Sequence, residues 1–399
     1  MIFAGKRLVL GVTGGIAAYK AAELARGLVT AGAWVKVVMT RAAQEFVTPL
    51  TFAALTGQPA GVALFGPGSA PLEHIALWQE VDGILVAPAT ANLMGKAAAG
   101  IGDDLLTTIL LAATKPVLIC PAMNADMWAN PVVQENVAKL KARGWQVMDP
   151  AAGPLACGAV GYGRLPEPPL IMEAAARLVS PQDLAGRMVL VTAGPTHEDL
   201  DPVRFLTNRS SGKQGYALAR AAWRRGADIC LISGHTALAE PYGVERVMVR
   251  SARDLLAQVK ERFAAADILI MAAAVSDYRP VQAQARKIKR QQAEAQFLLT
   301  QNPDIVREVS SQKRPGQVVV GFAAETHDLE SEARRKLEAK NLDLIVANDV
   351  NLPEAGFQVD TNVVTIIGRT GAAARLPLLS KDEVAERILD RVAELLDVR

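Results

Sequence analysis

The fold is decided by the stretch AGKRLVLGVTGG (residues 4–15), which recurs in outline as AGRMVLVTAGP (residues 185–195). Each reads as a buried apolar strand that ends in a glycine turn. ELARGLVTAGAWVKVVMT (residues 23–40) follows the first copy and ALARAAWRRGADICLISG (residues 217–234) follows the second. Both continuations predict a helix, a Gly-Ala turn and another strand, so the chain consists of two related halves.

A third pair of segments extends the correspondence. VDGILVAPATAN (residues 81–92) and ADILIMAAAVSD (residues 266–277) are continuous apolar strands that end in small residues. Fully apolar strands alternating with helices are typical of parallel sheets covered on both faces. The sequence therefore predicts two doubly wound, Rossmann-like α/β domains with mainly parallel sheets, residues 1–183 and 184–399, separated near Pro181.

Composition excludes several classes of protein. The 399 residues carry 43 Lys and Arg against 41 Asp and Glu, and 50% of them are hydrophobic. This balance is that of an ordinary globular protein and gives no reason to expect a nucleic-acid partner. Three cysteines form neither a disulfide framework nor a C-x-x-C pair. We therefore expect a reducing compartment and a cytoplasmic location.

Two apolar stretches resemble targeting or membrane segments. Residues 8–19 follow Lys6 as the apolar part of a signal peptide would, but Gly14 interrupts them and an amphipathic helix pattern follows. Residues 105–120 contain Lys115 and are shorter than the roughly 20 apolar residues that a membrane span needs. We expect no membrane-spanning segment.

Ligands of parallel sheets bind beyond the carboxyl ends of the strands, where helix N-termini present N–H groups to anions. The dinucleotide pattern G-x-G-x-x-G is missing after the first strand, which has Gly11, Gly14 and Gly15 instead. A phosphate-binding Walker loop is also missing, because Thr207 stands five residues before Gly212, where that loop has glycine. These absences favour a mononucleotide held by helix N-termini and small-residue loops.

Several motifs then point to a family. The first half contains PATAN (residues 88–92), PAMN (residues 121–124) and GPLACGAVGYGRLPE (residues 153–167), and it resembles the flavin-containing cysteine decarboxylases. With KIK (residues 287–289) and NPDI (residues 302–305), the whole chain resembles the bacterial bifunctional phosphopantothenoylcysteine decarboxylases and phosphopantothenate-cysteine ligases of coenzyme A biosynthesis.

The resemblance implies two activities. The second half would join 4'-phosphopantothenate to cysteine with CTP, through an acyl-cytidylate, and the first half would decarboxylate the product to 4'-phosphopantetheine. Simple loss of CO2 would leave an unstabilised carbanion, so the decarboxylation needs an electron sink, which FMN supplies.

In the first half, the resemblance implies catalytic roles for three residues. Cys157 would be the proton donor, His74 an acid/base residue near the flavin, and Asn124 the ligand of the substrate carboxylate. From the residues alone, Cys157 could instead be a buried apolar thiol, His74 a structural histidine and Asn124 a helix N-cap. The glycines around Cys157 indicate a mobile flap, and such flaps commonly cover active sites.

The FMN contacts are expected from the loops after the apolar strands: Gly14, Gly15, Ile16, Thr40, Pro88, Ala89, Thr90, Ala91 and Asn92. Gly15 departs from the family pattern, because many related flavoproteins have there a serine that binds the phosphate. That contact is therefore expected from backbone N–H groups or from Thr40. Arg164 and Glu167, in the flap, are expected to contact substrate.

In the second half, the resemblance makes Lys287 the residue that stabilises the triphosphate and the intermediate, and Asn208 a catalytic residue for the acyl intermediate. Further residues are expected to contact CTP or the intermediate: Arg204, Ala273, Ala274, Asp277, Lys289, Pro303, Asp304, Ile305, Val306, Phe322, Lys336 and Lys340. For exposed lysines the alternative is a merely solvated surface. Mg²⁺ would be held chiefly by phosphates, so no dense carboxylate site is expected.

Relatives of the first half form trimers and relatives of the second half form dimers, which together imply a homo-oligomer such as a dodecamer. Two other classes of function remain open. A nucleotide-dependent oxidoreductase is disfavoured by the missing glycine pattern. A non-enzymatic flavoprotein subunit is disfavoured by the joint presence of His74, Asn124 and Cys157.

Overall fold

The structure is a computed structural model that describes residues 1–65, 79–154, 160–289, 296–325, 328–349, 356, 358–370 and 373–397. The chain divides into two compact units, Met1–Ser180 and Pro181–Arg399.

The first unit is built on a parallel sheet. Its strands are β1 (Arg7–Val12), β2 (Trp34–Met39), β3 (Gly83–Ala89), β4 (Val117–Pro121), β5 (Gln146–Val147), β6 (Ala151–Pro154) and β7 (Val160–Arg164). The first five form one parallel sheet in the order β2-β1-β3-β4-β5, and β6 pairs with β7 antiparallel. Because β1 lies between β2 and β3, successive connections leave it in opposite directions, and a crevice opens beyond its carboxyl end.

Helices cover both faces of this sheet: α1 (Ala18–Thr30), α2 (Pro49–Thr56), α3 (Ala91–Ala99), α4 (Leu105–Ala112), α5 (Ala125–Ala129), α6 (Pro131–Ala142) and α7 (Pro168–Val179), with a 3₁₀ turn at Arg41–Glu45. Local sequence fixes where they start. Thr90 caps α3 by accepting from the Leu93 N–H, and Asp104 with Thr107 forms a capping box on α4. Leu10 and Leu85 of the central strands are fully buried between these layers.

The second unit has a larger sheet. Its strands are β8 (Met188–Ala193), β9 (His197–Asp199), β10 (Phe205–Thr207), β11 (Asp228–Ser233), β12 (Glu245–Met248), β13 (Ile268–Met271), β14 (Tyr278–Pro280), β15 (Leu299–Gln301), β16 (Val318–Glu325), β17 (Leu344–Asp349), β18 (Thr361–Asn362), β19 (Val364–Gly368), β20 (Ala374–Arg375) and β21 (Leu379–Ser380). Eight of them form one sheet in the order β12-β11-β8-β13-β16-β17-β19-β20. The pairs from β12 to β17 are parallel, and β19 and β20 join antiparallel.

The helices of the second unit are α8 (Lys213–Arg224), α9 (Ala252–Phe263), α10 (Ile305–Ser310), α11 (Leu329–Ala339) and α12 (Lys381–Asp397). Ser251 and Asp254 form a capping box on α9. Tyr216 on α8 and Ile388 on α12 are buried in one core cluster with Val191 of β8. The predicted α/β class with mainly parallel, doubly wound sheets is therefore confirmed.

None of the helices in the described ranges combines the length and the apolar character that crossing a bilayer requires.

Candidate active sites

The first unit has a pocket of about 1160 Å³ at the carboxyl ends of β1, β2 and β3. Ten of the sequence-predicted residues line it: Gly14, Gly15, Ile16, Thr40, Pro88, Thr90, Ala91, Asn92, Asn124 and Arg164. Ala89 does not line the pocket. It is fully buried at the end of β3, where its carbonyl accepts from the Ala122 N–H at 3.0 Å. Ala89 thus joins the PATAN and PAMN loops through its backbone.

Thr13 connects the loop after β1 with the PATAN loop at the base of this pocket. Its Oγ1 donates to the Pro88 carbonyl at 2.8 Å and accepts from the Thr90 N–H at 3.0 Å. The side chain is buried, and both bonding capacities of the hydroxyl are used. Thr13 begins a loop that the sequence places at the ligand end of the sheet, but it was not among the predicted FMN contacts.

Glycine is required at position 14 but not at position 15. A Cβ atom on Gly14 would lie 2.7 Å from the Ala42 carbonyl carbon, whereas a Cβ on Gly15 would lie 3.9 Å from its nearest neighbour, the Thr90 Cγ2. The next helix, α1, begins after Ala17, which makes no side-chain cap bond. A close backbone approach followed by a helix N-terminus suits a phosphate group.

Asn124 caps a helix and also lies in the lining of the pocket. Its amide oxygen accepts from the Asp126 N–H at 2.7 Å and so caps α5, and the residue also lines the pocket. The neighbouring Met123 N–H donates to the Gly163 carbonyl at 3.0 Å. This bond attaches β7, one arm of the glycine-rich segment, to the PAMN loop.

The two other predicted catalytic residues of the first unit, His74 and Cys157, lie outside the described residues. The described chain ends at Pro154 in β6 and resumes at Val160 in β7. Pro154 and Gly163, which flank the cysteine segment, both line the pocket.

Glu167 gathers two cations beside the pocket. Its Oε1 accepts from Lys20 Nζ at 2.8 Å and from Arg164 Nη2 at 3.1 Å. The Lys20 hydrogen bond, with a smaller effect of Arg164, lowers the pKa of the Glu167 carboxyl. Lys20 and Arg164 line the pocket but Glu167 does not. Sequence reasoning missed Lys20, because its spacing on α1 indicated only a helix surface.

The second unit has a pocket of about 860 Å³ beyond the carboxyl ends of β13 and β16. Eleven predicted residues line it: Asn208, Ala273, Ala274, Asp277, Pro303, Asp304, Ile305, Val306, Phe322, Lys336 and Lys340. The loop containing NPDI is fixed against the loop between β13 and β14, because Asn302 donates from its backbone to the Asp277 carbonyl and from its side chain to the Ser276 carbonyl, both at 2.8 Å.

Individual contacts orient some of these side chains. Asn208 Nδ2 donates to the Val275 carbonyl at 3.0 Å. Lys340 Nζ pairs with Asp304 Oδ2 at 3.0 Å. One wall of the pocket is thus polar and carries the lysines of α11 and its C-terminal end.

The structure does not bring Arg204, Lys287 and Lys289 into the lining of this pocket. Lys287 and Lys289 are exposed. Arg204 lies in the turn between β9 and β10, where its Nη2 pairs with Asp201 Oδ2 at 2.6 Å. Their sequence-based roles stay predictions.

Two lysines of this pocket were missed from the sequence. Lys381, 6% exposed at the start of α12, donates to the Val359 and Gly356 carbonyls at 2.5 and 3.2 Å. Burial, with a smaller effect of the Lys213 charge, lowers the pKa of Lys381 to about 8. Lys213 Nζ pairs with Asp360 Oδ1 at 2.6 Å. With Lys336, Lys340 and Arg209 they give the pocket five cationic side chains, a composition suited to a polyphosphate.

Within the described part of the chain, no three His, Cys, Asp or Glu side chains are grouped so that they could hold a metal ion.

Two doubly wound units, each with its own pocket beyond the strand ends, define a class of two-site α/β enzymes that bind phosphorylated ligands. The sequence model described as Flavoprotein matches residues 3–180, and that of the DNA/pantothenate metabolism flavoprotein C-terminal domain matches residues 184–396. The chain belongs to the family of coenzyme A biosynthesis bifunctional proteins, as the following relatives establish.

The protein named coenzyme A biosynthesis bifunctional protein CoaBC from Vibrio vulnificus is 46% identical over 396 residues, which cover 98% of each chain. The protein of the same name from Escherichia coli K12 is 44% identical over 402 residues, covering 100% of this chain and 99% of that one. A crystal structure of the C-terminal domain of such a protein is 40% identical, covers 55% of this chain and 100% of that one, and has a TM-score of 0.48.

Proposed function

We propose that the chain catalyses two consecutive steps of coenzyme A biosynthesis. Residues 184–399 ligate 4'-phosphopantothenate with cysteine at the expense of CTP, and residues 1–183 decarboxylate the product to 4'-phosphopantetheine. The observation that carries the proposal is that, in each unit, predicted residues from separate loops line one pocket.

Ligation requires activation because a free carboxylate is a poor acyl donor. A carboxylate oxygen of phosphopantothenate attacks the α-phosphorus of CTP, and pyrophosphate leaves. The cysteine amine then attacks the acyl carbon of the acyl-cytidylate, and CMP leaves. Lys336 and Lys340 would offset phosphate charge in the pocket, while Asn208, held by the Val275 carbonyl, would contact the acyl group.

We assign the role of charge stabiliser at the reacting phosphorus to Lys287. Lys287 is exposed and does not line the pocket, so this role rests on the resemblance of the KIK segment to the family motif. Phe322 would pack against the base, and the small side chains of Ala273 and Ala274 would allow backbone groups to approach it.

Decarboxylation depends on placing the substrate carboxylate and returning a proton. Asn124 would donate from its amide to the substrate carboxylate without adding charge. Arg164, which Glu167 holds at 3.1 Å, would contribute a positive charge at the same side. Cys157 would protonate the product carbon, and His74 would act as the second acid/base residue.

The pocket of the first unit fits FMN. Glycine at position 14 lets the loop after β1 pack directly against Ala42, and the N-terminus of α1 follows this loop in the pocket. Gly14, Gly15, Ile16, Thr40 and the PATAN loop would hold the cofactor. When bound, FMN supplies the electron sink that decarboxylation needs.

We further propose that Mg²⁺ enters with CTP, held chiefly by its phosphates. The chain would work in the cytoplasm as a homo-oligomer, with a dodecamer combining threefold contacts of the first unit and twofold contacts of the second.

The test is made on the purified full chain. The supernatant of the heat-denatured protein should show the absorption and chromatographic mobility of FMN. With phosphopantothenate, cysteine, CTP and Mg²⁺, the protein should release pyrophosphate and CO2 in equal amounts. A nicotinamide cofactor, or neither product, would instead support an oxidoreductase or a non-enzymatic subunit.

A further inference from the structure

Asp201 is a buried carboxylate at the turn between β9 and β10, and its side chain is 0% exposed. One oxygen, Oδ1, accepts from the Val203 and Arg204 N–H groups at 2.8 and 2.9 Å. The other, Oδ2, accepts from Arg204 Nε at 3.0 Å and from Nη2 at 2.6 Å. Although burial acts in the opposite direction, the Arg204 hydrogen bond and the backbone donors lower the pKa of Asp201, so the carboxylate is charged at neutral pH.

Two further hydrogen bonds connect this turn with the KIK segment. The Ile288 N–H donates to Asp201 Oδ2 at 3.1 Å, and the Ile288 carbonyl accepts from Arg204 Nη2 at 2.7 Å. Four residues earlier, the Gln284 N–H donates to the Leu200 carbonyl at 2.9 Å. Three hydrogen bonds therefore attach the segment 284–288 to one turn, and two of them hold both polar groups of the Ile288 backbone.

The attached residue is the one between the two lysines. Lys287 and Lys289 are exposed, whereas Ile288 is half-buried. A lysine on an unattached loop must lose both backbone and side-chain freedom when it binds a phosphate, and this loss of conformational entropy weakens binding. A backbone that is already held avoids part of that loss.

We propose that Asp201 is a positioning residue of the ligase, which, together with Arg204, holds the Ile288 backbone so that Lys287 reaches the reacting phosphates. Asp201 itself touches no substrate. The inference rests on the proposed function of Lys287. It also gives Arg204 a role through Ile288, in place of a position in the lining of the pocket.

Asp199 provides the matched control. It lies in the same hairpin and forms a comparable bidentate pair, accepting from Arg250 Nε at 2.8 Å and Nη2 at 2.6 Å. Asp199→Asn therefore makes the same chemical change in the same hairpin. The arginine that pairs with Asp199 is Arg250, which lies in another loop. Asp201→Asn should lower kcat/KM for ligation by about 10-fold or more, as loss of a positioning contact does, and Asp199→Asn by less than about 2-fold.

Trypsin gives a readout that needs no ligase activity. The scissile bond Lys287–Ile288 carries the N–H that Asp201 accepts, so without substrates the full-length Asp201→Asn variant should be cut there several times faster than the parent or Asp199→Asn. The new termini are assigned by mass spectrometry. Equal cleavage in all three proteins would overturn the attachment, whatever the ligase rates.

A double-variant cycle separates positioning from general structural damage. If Asp201 acts through Lys287, Asp201→Asn should have little further effect on the ligation rate in a Lys287→Gln background. Independent, multiplying losses would overturn the positioning role. Parental ligation by Lys287→Gln alone would overturn the proposed function of Lys287, and with it this role of Asp201, while the trypsin result would still establish whether the attachment exists.

A second variant covers the case in which Asp201→Asn does not fold. Ile288→Pro removes the N–H that donates to Asp201 and leaves the pair of Asp201 with Arg204 intact. Position 288 lies outside helices and strands, so the fold should be kept. Ligation should fall as far as in Asp201→Asn, and parental ligation by Ile288→Pro would overturn the inference.

Discussion

Gly14 lies so close to Ala42 that no side chain fits between them: a Cβ atom on Gly14 would be 2.7 Å from the Ala42 carbonyl carbon and 2.8 Å from its oxygen. The obstacle is the Ala42 backbone together with its Cβ atom, neither of which can rotate away as a long side chain does. The β1 loop and the turn after β2 therefore meet through glycine, and both line the pocket of the first unit.

We expect Gly14→Ala to abolish stable FMN binding, because the backbone shift needed would cost about 1–3 kcal/mol and displace the loop. Gly15→Ser is the control. Its Cβ would meet only the Thr90 Cγ2, at 3.9 Å, and its hydroxyl would face the expected phosphate position. The ratio of flavin to protein absorbance after gel filtration should fall about 10-fold or more in Gly14→Ala and stay at the parental value in Gly15→Ser. Flavin retained by Gly14→Ala would contradict a requirement of FMN binding for the close packing of Gly14 against Ala42.

Much of this arrangement could be predicted from the sequence, because a buried parallel strand is a continuous apolar run and its ligand loop follows directly. The strand order could not. The parallel strands of the first unit follow the order 2-1-3-4-5, and those of the second follow 3-2-1-4-5-6. The difference arises from β12 (Glu245–Met248), an edge strand that is at most half-buried and so lacks an apolar pattern.

The site residues that were not predicted from the sequence escaped notice for a common physical reason. Lys213 and Lys381 are far apart in the sequence, and only the folded chain brings them to one pocket. A lysine that becomes buried has no local sequence signal, since exposed lysines start helices equally well. Conversely, Asp201 had no motif, because its importance lies in contacts with Arg204 and Ile288.

Asn124→Asp should impair decarboxylation about 10- to 100-fold without affecting ligation, because a second carboxylate repels the carboxylate of the substrate. Aspartate keeps the helix cap that Asn124 makes with Asp126, so the effect of charge is isolated from folding. Asn130→Asp is the control: it makes the same change at the cap of α6, where Asn130 accepts from the Val132 N–H at 2.9 Å. CO2 release from supplied phosphopantothenoylcysteine is measured, and equal losses in both variants would contradict a role in substrate binding.

Cys157→Ser should retain FMN and release CO2, but stall at an oxidised, enethiol-type product. A hydroxyl is a much weaker acid than a thiol, and general acid catalysis contributes about 10²- to 10⁴-fold. Cys120→Ala serves as control, because Cys120 is fully buried in β4 and burial raises the pKa of its thiol. Products are separated by mass: a saturated product from Cys157→Ser would reject the proton-donor assignment.

The stability of Lys381→Met relative to the parent should be greater at pH 7 than at pH 10, whatever the pH-independent loss of the two hydrogen bonds of Lys381. The native pKa of Lys381, about 8, lies below the ordinary value of 10.5. Below pH 8 the lysine is cationic in both states and the cost of burying the charge is fully present. Between pH 8 and 10.5 the native state releases the proton first, so the cost fades and the parent gains stability with pH.

The measurement for Lys381 is the midpoint of thermal unfolding by circular dichroism. The unfolding midpoint of Lys381→Met minus that of the parent should decrease by a few degrees from pH 7 to pH 10, given roughly 2–4 °C per kcal/mol for a unit of this size. The exposed Lys289, changed to Met, should show a difference that does not vary with pH. A constant difference for Lys381→Met would mean that its native and unfolded pKa values are equal.

Lys287→Gln tests the charge proposed for the ligase site, because it keeps the polarity and nearly the length of the side chain. Removing a well-placed electrostatic stabiliser costs about 3–4 kcal/mol in the transition state, whereas a solvated lysine costs close to nothing. We therefore expect pyrophosphate release with CTP, phosphopantothenate and cysteine to fall by two or more orders of magnitude, about 10²- to 10³-fold. Lys289→Gln removes the same charge two residues away, and its rate of pyrophosphate release should fall far less if the orientation set at Ile288 matters.

Decarboxylation of supplied phosphopantothenoylcysteine should be unchanged in both variants, since the other pocket carries it out. Parental ligation by Lys287→Gln would mean that the triphosphate is held by the lysines inside the pocket, Lys213, Lys336, Lys340 and Lys381, without help from the KIK segment.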